Sequence, residues 1–571
     1  MKTIRTTVLA TAAAMLALLA APRAFAQADP PGRVARLNLA QGSISFLPSG
    51  GTDDDWVQAV VNRPLTTGDR VWADANSRAE IHVGSAAIRM DSNTGISFLN
   101  LDDATVQLRL TDGSIYVRVR HLDPNNTFEI DTPNVAFAIH RPGVYRLDAH
   151  PSDATTVITV RQGEGEAIGG GRNWDVRSDQ QVLLAGNDSL DYDLKDADAQ
   201  QPTDFDRWSM DRDAREDRIA PRYVSPEMTG YEDLDAYGEW RDVPGYGWCW
   251  APAGVAVGWA PYRYGHWVWV SPWGWTWVED EPWGFAPFHY GRWAFYGAAW
   301  VWVPGPAVVR PVYAPALVAW VGGGGFSVGV GVGVGWFPLG PREVFVPSYR
   351  VSETYVTRVN VTNTVVERTT VINVYHGGGE RVTYVNQRVG GGVTVVDRET
   401  FINARPVAAH VVRVDDRVIV NARVGHEAGF QPERASVYGA GRRDTPHPPA
   451  EVVNRTVITH SAPPREPDHF ARTENGNNRP ADRPAGNPQA QPPQNSQRQD
   501  SGRQQDNRFN RNDDRTMPAP AHPAPPVRQA SPQERQNEQQ KQQTWQNAHP
   551  RNDDSKKSDS KKDKGKGKGG N

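Results

Sequence analysis

The chain has 571 residues and a formal net charge of −4, and it contains 20 tryptophans but only one cysteine. This length predicts about three or four domains. The single cysteine, Cys249, excludes an internal disulfide bond. Because Cys249 lies between Trp248 and Trp250, we expect it to be a buried small apolar residue rather than a reactive thiol.

Residues 1–26 have the pattern of a secretory signal peptide. Lys2 and Arg5 precede an apolar stretch over residues 8–21, and Ala24-Phe25-Ala26 forms a small-x-small cleavage site. The apolar stretch is too short and too rich in alanine for a comfortable membrane span. We therefore predict an exported protein of the periplasm or the cell surface, with no stable membrane span after cleavage.

Within a predicted β domain over residues 27–188, residues 33–186 alternate apolar and polar side chains with a period of two, which is typical of half-buried strands. Ala79, Ile81 and Val83 are expected to face the core, while Glu80 and His82 face outward. Turn signals such as Thr111-Asp112-Gly113 separate the runs. The pattern predicts an all-β sandwich, barrel or roll, and the chain as a whole is predicted to be mainly β.

The same residues resemble the FecR domain. The motifs are Leu65-x-x-Gly68-Asp69-x-Val71, Ser77-Arg78-Ala79-Glu80-Ile81, Thr111-Asp112-Gly113-Ser114-Ile115, Phe128-Glu129-Ile130-Asp131-Thr132-Pro133 and Val157-x-x-Val160-Arg161-x-Gly163. FecR proteins are periplasmic sensors that signal through one membrane helix to a cytoplasmic sigma factor. This chain begins instead with a cleavable signal, so the resemblance implies an extracytoplasmic β domain of the interaction type.

Residues 189–236 are rich in aspartate and arginine and poor in apolar residues, so we predict a charged linker with room for one short helix. Residues 237–347 then repeat Tyr-Gly-x-Trp followed by Trp-x-Trp. The three copies are Tyr237–Trp240 with Trp248/Trp250, Tyr264–Trp267 with Trp275/Trp277, and Tyr290–Trp293 with Trp300/Trp302. A fixed period indicates small stacked units that share a buried face. We expect short hairpins whose rings form an aromatic layer.

Residues 311–341 contain no charged side chain, and their length allows a membrane span. The alternation of glycine and valine from Val328 to Gly335 favours an extended strand instead, because each glycine inside a helix costs about 1 kcal/mol relative to alanine. With the repeats, Trp336-Phe337-Pro338-Leu339-Gly340-Pro341 resembles a Trp/Tyr-rich domain of unknown function (family 6600). That domain often follows FecR-like domains in proteobacterial envelope proteins.

The remaining chain divides into two parts. Residues 348–424 are rich in valine, threonine and asparagine, so we predict a strand-like region. Residues 425–571 are dominated by proline, glutamine, asparagine and arginine, and their apolar residues are too sparse to offset chain entropy. We predict a disordered C-terminal tail.

No catalytic constellation or cofactor motif is evident, and we predict a protein that is not an enzyme. His266 and His289 lack partners at the spacing of metal ligands, so no metal site is expected. The acidic run Glu279-Asp280-Glu281 lies within the aromatic repeats and suggests a wall-acting glycan hydrolase as one alternative. A solvated loop is the simpler interpretation of this run.

The aromatic repeats support a binding hypothesis better than a catalytic one. Flat exposed rings can stack on sugars, and nearby arginines can contact anions. The candidate ligand-binding residues are Trp240, Trp267, Trp293, Tyr264, Tyr290, Arg263 and Arg292. The competing interpretation is that these rings pack together as a core.

We therefore expect an exported envelope protein that contacts a protein or a cell-wall glycan. Nucleic acid is not an expected partner, because the protein is predicted to be exported and acidic residues outnumber basic ones over residues 28–200. A periplasmic signalling accessory that acts with a membrane partner, in the manner of FecR regulators, is the alternative function.

Overall fold

The computed structural model describes residues 29–464, except residues 188, 198–200, 220, 308–309, 329–330, 378–382, 440 and 442–444. The predicted signal peptide therefore lies outside the described residues, and so does the part of the predicted disordered tail after residue 464. The described chain is mainly β, as predicted. None of its helices is both long enough and apolar enough to cross a membrane.

The first seventeen strands form two antiparallel layers, which we call the N-terminal sandwich. Its strands are β1 Ala35–Gln41, β2 Ile44–Leu47, β3 Val57–Gln58, β4 Pro64–Leu65, β5 Arg70–Ala73, β6 Arg78–Val83, β7 Ala86–Met90, β8 Thr94–Leu101, β9 Thr105–Val119, β10 Thr127–Asp131, β11 Ala136–Ile139, β12 Gly143–His150, β13 Thr155–Gln162, β14 Glu164–Gly169, β15 Arg172–Arg177, β16 Gln180–Ala185 and β17 Asp191–Asp196. One layer runs β4-β1-β6-β7-β9-β12-β13-β16-β17. The other runs β3-β2-β5-β8-β9-β10-β11-β14-β15, and its β9–β10 pair is parallel.

Strand β9 belongs to both layers and joins them. Its first half pairs with β8 and β10, and its second half pairs with β7 and β12. The alternating apolar residues of both layers meet between them, including Ile81, Leu108, Val117 and Ile158, each 0% exposed. The period of two in the sequence therefore predicted the core-facing side of these strands correctly.

The outward face of β6 is also buried, which the sequence interpretation did not foresee. Glu80 is 0% exposed and His82 is 2% exposed. Helix α1, Asp204–Glu216, is packed against this face, and its own Asp213 and Glu216 are buried there. The prediction of a linker for residues 189–236 is corrected accordingly, because this segment supplies β17 and a helix that covers the sandwich.

The aromatic repeats follow as three hairpins with two short helices. These elements are α2 Leu234–Tyr237, β18 Gly238–Val243, β19 Gly247–Pro252, β20 Gly265–Val270, β21 Gly274–Glu279, α3 Ala286–His289, β22 Arg292–Tyr296 and β23 Ala299–Val303. Hydrogen bonds join the repeats to the sandwich. The Asn62 amide donates to the carbonyl oxygen of Glu279 at 2.9 Å, and the Arg36 guanidinium pairs with Asp233 at 2.5 Å.

The uncharged stretch forms a strand pair, as the glycine–valine alternation predicted. Strands β24 Val318–Val328 and β25 Gly331–Pro338 pair antiparallel, and β26 Thr394–Asp397 and β27 Val424–Gly425 extend the sheet in the order β26-β25-β24-β27. Trp320 lies opposite Trp336 in the central pair. This pairing uses the stretch in a sheet rather than in a transmembrane helix.

The strand-like prediction for residues 348–424 is wrong at its beginning. Two helices form there, α4 Glu353–Val361 and α5 Arg368–Tyr375, and Ser352 caps the first by accepting from the Tyr355 N–H. Val356 and Val371 pack together between them. β-Branched residues lower helix propensity only slightly, so burial of one helical face decided the outcome.

The prediction of disorder is wrong for the described residues beyond 425. The last four helices are α6 Arg398–Ile402, α7 Asp416–Asn421, α8 Arg434–Tyr438 and α9 Ala450–Val453, and α8 and α9 lie in the predicted tail. The described residues between 434 and 464, which we call the C-terminal strap, pack on the N-terminal sandwich. Val452 lies in a cluster with Trp56 and Trp72, and the Ser461 hydroxyl donates to Glu129 Oε2 at 2.5 Å.

Candidate binding surface

Each copy of the repeat folds into one hairpin, and the hairpin places two tryptophans of the motif opposite each other. In the first hairpin, Trp240 on β18 faces Trp250 on β19. The other two hairpins repeat this arrangement with the pairs Trp267–Trp277 and Trp293–Trp302. Directly opposed residues share one face of the sheet. The motif spacing therefore builds one cross-strand indole pair into every hairpin.

The glycine of each motif makes room for the second indole of that pair. A Cβ atom on Gly265 would lie 2.2 Å from the carbonyl oxygen of Val278 and 2.8 Å from Cζ2 of Trp277. The other two motif glycines also lie against a carbonyl oxygen and an indole ring. A Cβ atom on Gly238 would contact the Ala251 carbonyl and the Trp250 ring, and one on Gly291 would contact the Val303 carbonyl and the Trp302 ring. The motif glycine is therefore a packing requirement of the hairpin.

The first and third hairpins join into one four-stranded sheet in the order β18-β19-β23-β22. Trp250 lies opposite Trp302 across the joint. Four tryptophans thus form a row across one face of this sheet, in the order Trp240, Trp250, Trp302 and Trp293. Three of them are buried, and Trp240 at the edge is only half-buried.

Cys249 lies on the opposite face of this sheet, in a small apolar cluster with Val243, Ala251, Ala294 and Val301. It is 0% exposed, as expected from its tryptophan neighbours. Burial raises the pKa of its thiol to about 11. A thiol that stays protonated at neutral pH is a poor nucleophile, so the cysteine is structural.

Four of the seven candidate binding residues are not accessible. Trp267, Trp293, Tyr290 and Arg292 are each at most 2% exposed. The ring of Trp267 contacts the rings of Trp277, Trp320, Trp336 and Phe401, which come from all parts of the repeat region and beyond it. These four residues pack as core, and the prediction that they contact a ligand is corrected.

Arg292 shows how a buried arginine is accommodated. Its guanidinium donates to the carbonyl oxygens of Glu343 and Gly291 at 3.1 and 2.8 Å and to the Asn360 side-chain oxygen at 3.1 Å. Burial lowers its pKa to about 10. All of its branches are used internally, so it offers nothing to an anion outside.

Tyr264 and Arg263 are half-buried in another part of the repeat region. Tyr264 packs against the aromatic core. The Arg263 guanidinium donates to the carbonyl oxygens of Gly391 and Gly258 at 2.6 and 3.1 Å. Arg263 therefore fixes the loop at Gly391.

The first hairpin differs from the other two in its exposure. Trp248 is 47% exposed, whereas its counterparts Trp275 and Trp300 are 9% and 6% exposed. Trp240 is half-buried, whereas its counterparts Trp267 and Trp293 are fully buried. Both motif positions are therefore buried in the second and third hairpins and are at least partly exposed in the first.

Trp240 and Trp248 of the first hairpin both contact the ring of Tyr223, and we call these three residues the aromatic surface (Tyr223, Trp240 and Trp248). The centroid of the Tyr223 ring lies 4.5 Å from that of Trp248, with the planes 23° apart, and 4.8 Å from that of Trp240. The Trp240 indole N–H donates to Asp235 Oδ1 at 2.9 Å. Tyr237 and Tyr246 add exposed rings next to this hairpin.

Sequence reasoning found Trp240 but missed Tyr223 and Trp248. Tyr223 lies in the segment that was predicted to be a linker, 25 residues before Trp248. No periodicity marks it. For Trp248, the repeat itself concealed the difference, because its counterparts have the same sequence context and are buried.

Within the acidic run, Asp280 is exposed but Glu279 is not. Glu279 is 1% exposed, and its Oε2 accepts from the Trp277 indole N–H at 2.8 Å. Burial raises the pKa of Glu279 well above its usual range. Glu281 is half-buried. The interpretation of a solvated loop therefore fails for Glu279. The glycosidase alternative rests on Glu279 or Glu281, and of these two Glu279 is inaccessible to a substrate.

Both candidate histidines are buried within the repeat region. His266 is 3% exposed and His289 is 0% exposed. The Nδ1 atom of His289 lies 2.8 Å from the carbonyl oxygen of Ala314, and burial lowers its pKa to about 3. These positions are those of core histidines.

A cluster of buried charged side chains lies between helix α1 and the strands β6 and β7. We call it the ionic cluster, and its centre is Glu80, His82, Arg89, Asp213 and Glu216. Arg89 pairs with Glu80 at 2.6 Å, with Asp213 at 2.7 Å and with Glu216 at 3.1 Å. Such a buried network is weak evidence for added stability, but removing one partner is strongly destabilising.

His82 completes the charge balance of this cluster. Its Nε2 lies 3.2 Å from Glu80 and 3.6 Å from Glu216, and its Nδ1 lies 3.7 Å from Glu232. Burial alone would lower the pKa of His82, but the carboxylates of Glu216 and Glu232 outweigh burial and raise it to about 10. The His82 side chain is therefore a protonated imidazolium at neutral pH.

The ligand atoms of Glu80, His82 and Glu216 lie within 4.8 Å of one another, which is compact enough for a metal ion. Their oxygens are already engaged by guanidinium groups. Arg212 donates to both oxygens of Glu80 at 2.5 Å, and Arg120 donates to Glu216 Oε2 at 3.0 Å. This donor set is neutralised by arginines and does not suit a divalent cation.

Comparison with known proteins identifies only the repeat region. Residues 231–343 match the Family of unknown function (DUF6600), which covers less than half of the chain. This match contains all three hairpins and confirms the resemblance to family 6600 for these residues. No curated protein matches the sequence.

Two crystal structures of a protein from Parabacteroides distasonis ATCC 8503, described as an anti-sigma factor, are similar to part of the chain. Each is 14% identical, with a TM-score of 0.21, over 23% of this chain and 61% of that protein. This chain therefore spans less than two thirds of that protein, and the low TM-score carries no argument about fold or function.

Proposed function

We propose that this protein is an exported, non-enzymatic binding protein of the cell envelope that recognises a glycan through the aromatic surface. The observation that carries the proposal is the internal difference among the repeats. Trp248 is 47% exposed at a motif position that is at most 9% exposed in the other two hairpins. A repeat that only buried its own faces would bury this position as well.

The geometry of the aromatic surface suits a sugar. Tyr223 and Trp248 stack on each other, and Trp248 leaves 47% of its surface exposed to solvent. The C–H faces of a pyranose are apolar and pack on such rings, while its hydroxyl groups need hydrogen-bond partners at the edge. Asp242 lies directly opposite Trp248 on the same face of the hairpin, and Asp235 lies at the Trp240 indole. Both carboxylates are exposed and can accept from hydroxyl groups.

Titration of the mature protein with soluble peptidoglycan fragments, followed by tryptophan fluorescence, tests this proposal. Trp248→Ala should weaken binding about tenfold, because one stacking contact with its buried area is worth about 1.4 kcal/mol. Tyr296→Ala is the matched control, since Tyr296 is an exposed ring on the same four-stranded sheet but outside the aromatic surface. Equal binding by wild type, Trp248→Ala and Tyr296→Ala would exclude the aromatic surface as the glycan site.

Signalling through a membrane partner is the second candidate function. It is supported by the FecR-like motifs of the N-terminal sandwich, including Thr111-Asp112-Gly113 at the point where β9 passes between the two layers. Affinity purification of the tagged protein from detergent-solubilised envelopes separates the candidates. A stoichiometric inner-membrane protein that still co-purifies with Trp248→Ala would favour signalling, whereas retention on peptidoglycan that Trp248→Ala abolishes would favour glycan binding.

A further inference from the structure

An apolar groove of about 390 Å³ lies between the end of β26, the extended segment 411–414 and helix α7. Val393, Val395 and Ile419 form its buried floor. Val412 and Val414 line its wall and are half-buried. Its volume is at the lower end of the range for small-molecule sites, so it suits one slender ligand rather than a folded partner.

Hydrogen bonds hold the walls of the groove apart and in place. The Gln387 amide donates to the carbonyl oxygen of Ile419 at 2.9 Å, which fixes α7. The Val412 N–H donates to the carbonyl oxygen of Val395 at 2.8 Å, which fixes the segment before α7. Arg263 ties down the loop at Gly391 with a bond of 2.6 Å. The groove is therefore preformed, which lowers the entropic cost of binding.

Two arginines at the rim give the groove its charge preference. Arg388 and Arg413 both line the groove and are exposed. Among the described residues, no hydrogen bond or ion pair is found for either guanidinium group. Asp416 is the one acidic residue in the lining. Unpaired guanidinium groups beside apolar walls favour a ligand with an anionic head, since a charge-assisted bond to a carboxylate or phosphate is short and strong.

We propose that this groove binds an aliphatic anion, with its chain on the valine floor and its carboxylate or phosphate between Arg388 and Arg413. Each methylene group removed from water favours binding, and the floor offers no polar side chain that would lose hydration. The groove shares no residue with the aromatic surface, so this inference is independent of glycan recognition. Arg263, expected from the sequence to contact an anion, lines the same groove while its own donors hold the loop.

Calorimetric titration of the mature protein with decanoate, below its micelle concentration, tests the proposal. Decyltrimethylammonium has the same chain with the opposite charge and should bind at least about tenfold more weakly. The double variant Arg388→Gln/Arg413→Gln should lose decanoate affinity by about tenfold or more. Arg417→Gln is the matched control, because Arg417 is an exposed arginine of α7 that does not line the groove. It should bind decanoate like the wild type.

Val414→Trp provides a second test that leaves the rim charges intact. The larger ring would fill the groove from its half-buried wall, so decanoate binding should be lost while the thermal midpoint stays near that of the wild type. Sedimentation with phosphatidylglycerol vesicles then separates the two sources of such an anion. Binding to monomeric decanoate alone indicates a free amphiphile, and binding to both indicates a bilayer lipid.

Three results would overturn the proposal. The first is equal affinity for decanoate and decyltrimethylammonium. The second is unchanged decanoate binding by Arg388→Gln/Arg413→Gln relative to Arg417→Gln. The third is no detectable heat with wild-type protein at about 1 mM decanoate, where even weak specific sites are occupied.

Discussion

Replacing the motif glycine of the second hairpin, Gly265→Ala, should destabilise the protein through one added methyl group. The new Cβ would lie 2.2 Å from the Val278 carbonyl oxygen and 2.8 Å from Trp277 Cζ2. Neither neighbour can withdraw easily. Val278 lies within the ladder that pairs β20 with β21, and Trp277 is 0% exposed with its indole N–H bonded to Glu279.

The expected cost is about 3 kcal/mol of unfolding free energy. Adding a methylene group to a packed core costs about 1–3 kcal/mol, and the upper end applies where backbone must move. The propensity of alanine does not offset this cost, because a glycine-to-alanine gain of about 1 kcal/mol at most is realised only where the side chain meets no obstacle. Gly238→Ala should behave alike, since its Cβ would lie 2.4 Å from both the Ala251 carbonyl oxygen and the Trp250 ring.

Urea unfolding followed by tryptophan fluorescence measures this effect, with Gly390→Ala as the matched control. A Cβ on Gly390 meets no atom within 4 Å, so the control should unfold within about 0.5 kcal/mol of the wild type. If Gly265→Ala and Gly390→Ala unfold at the same urea concentration, the motif glycine does not serve to admit the indole and our account of the repeat is wrong.

Three further predictions concern burial, charge and the C-terminal strap. Trp267→Ala should cost about 3–5 kcal/mol of stability because it empties a core position, whereas Trp248→Ala should cost under about 1 kcal/mol; urea midpoints of the two variants compare them directly. Burial raises the pKa of Glu232 to about 7 from its usual 4.5. The stability that the protonated Glu232 side chain contributes to the wild type is therefore fully present below about pH 4.5 and is lost as the pH rises through about 7. Glu232→Gln should remove that fall, and thermal melts at about pH 5 and about pH 8 show whether the difference between them shrinks. Ser461→Ala should cost about 1 kcal/mol by removing the 2.5 Å bond to Glu129, so limited proteolysis should cut the strap sooner, and unchanged cutting would contradict the contact.

The fold could be predicted from the sequence where the signal is local. Alternation such as Ala79, Ile81 and Val83 marks a strand with one apolar face, and all three residues lie in the core of the N-terminal sandwich. The hairpins were predictable for the same reason, because motif spacing sets which tryptophans oppose each other across a tight turn. The strand prediction failed for residues 353–375. Valine and threonine favour strands only weakly, and burial of a helical face that includes Val356 and Val359 outweighed this preference.

The candidate site was less predictable, because exposure depends on residues far away in the chain. Trp240, Trp267 and Trp293 occupy one motif position, yet only Trp240 retains contact with solvent. Trp267 is buried by Trp320, Trp336 and Phe401, which lie 53 or more residues further along the chain. Glu80 and His82 face outward from their strand as predicted, but helix α1 covers them and turns a surface into the ionic cluster.

The sequence by itself determined the strands of residues 27–188, the three hairpins with their aromatic layer and the burial of Cys249. These follow from periods of two, tight turns and fixed spacing, which act over a few residues. Only the tertiary structure decided which face of each element meets solvent. It exposed Trp248 and buried Trp293 and Arg292. It also placed Arg388 and Arg413 beside a groove, without a partner among the described residues. The physical reason is that burial is a property of the packed neighbours, and these neighbours come from segments that no local pattern brings together.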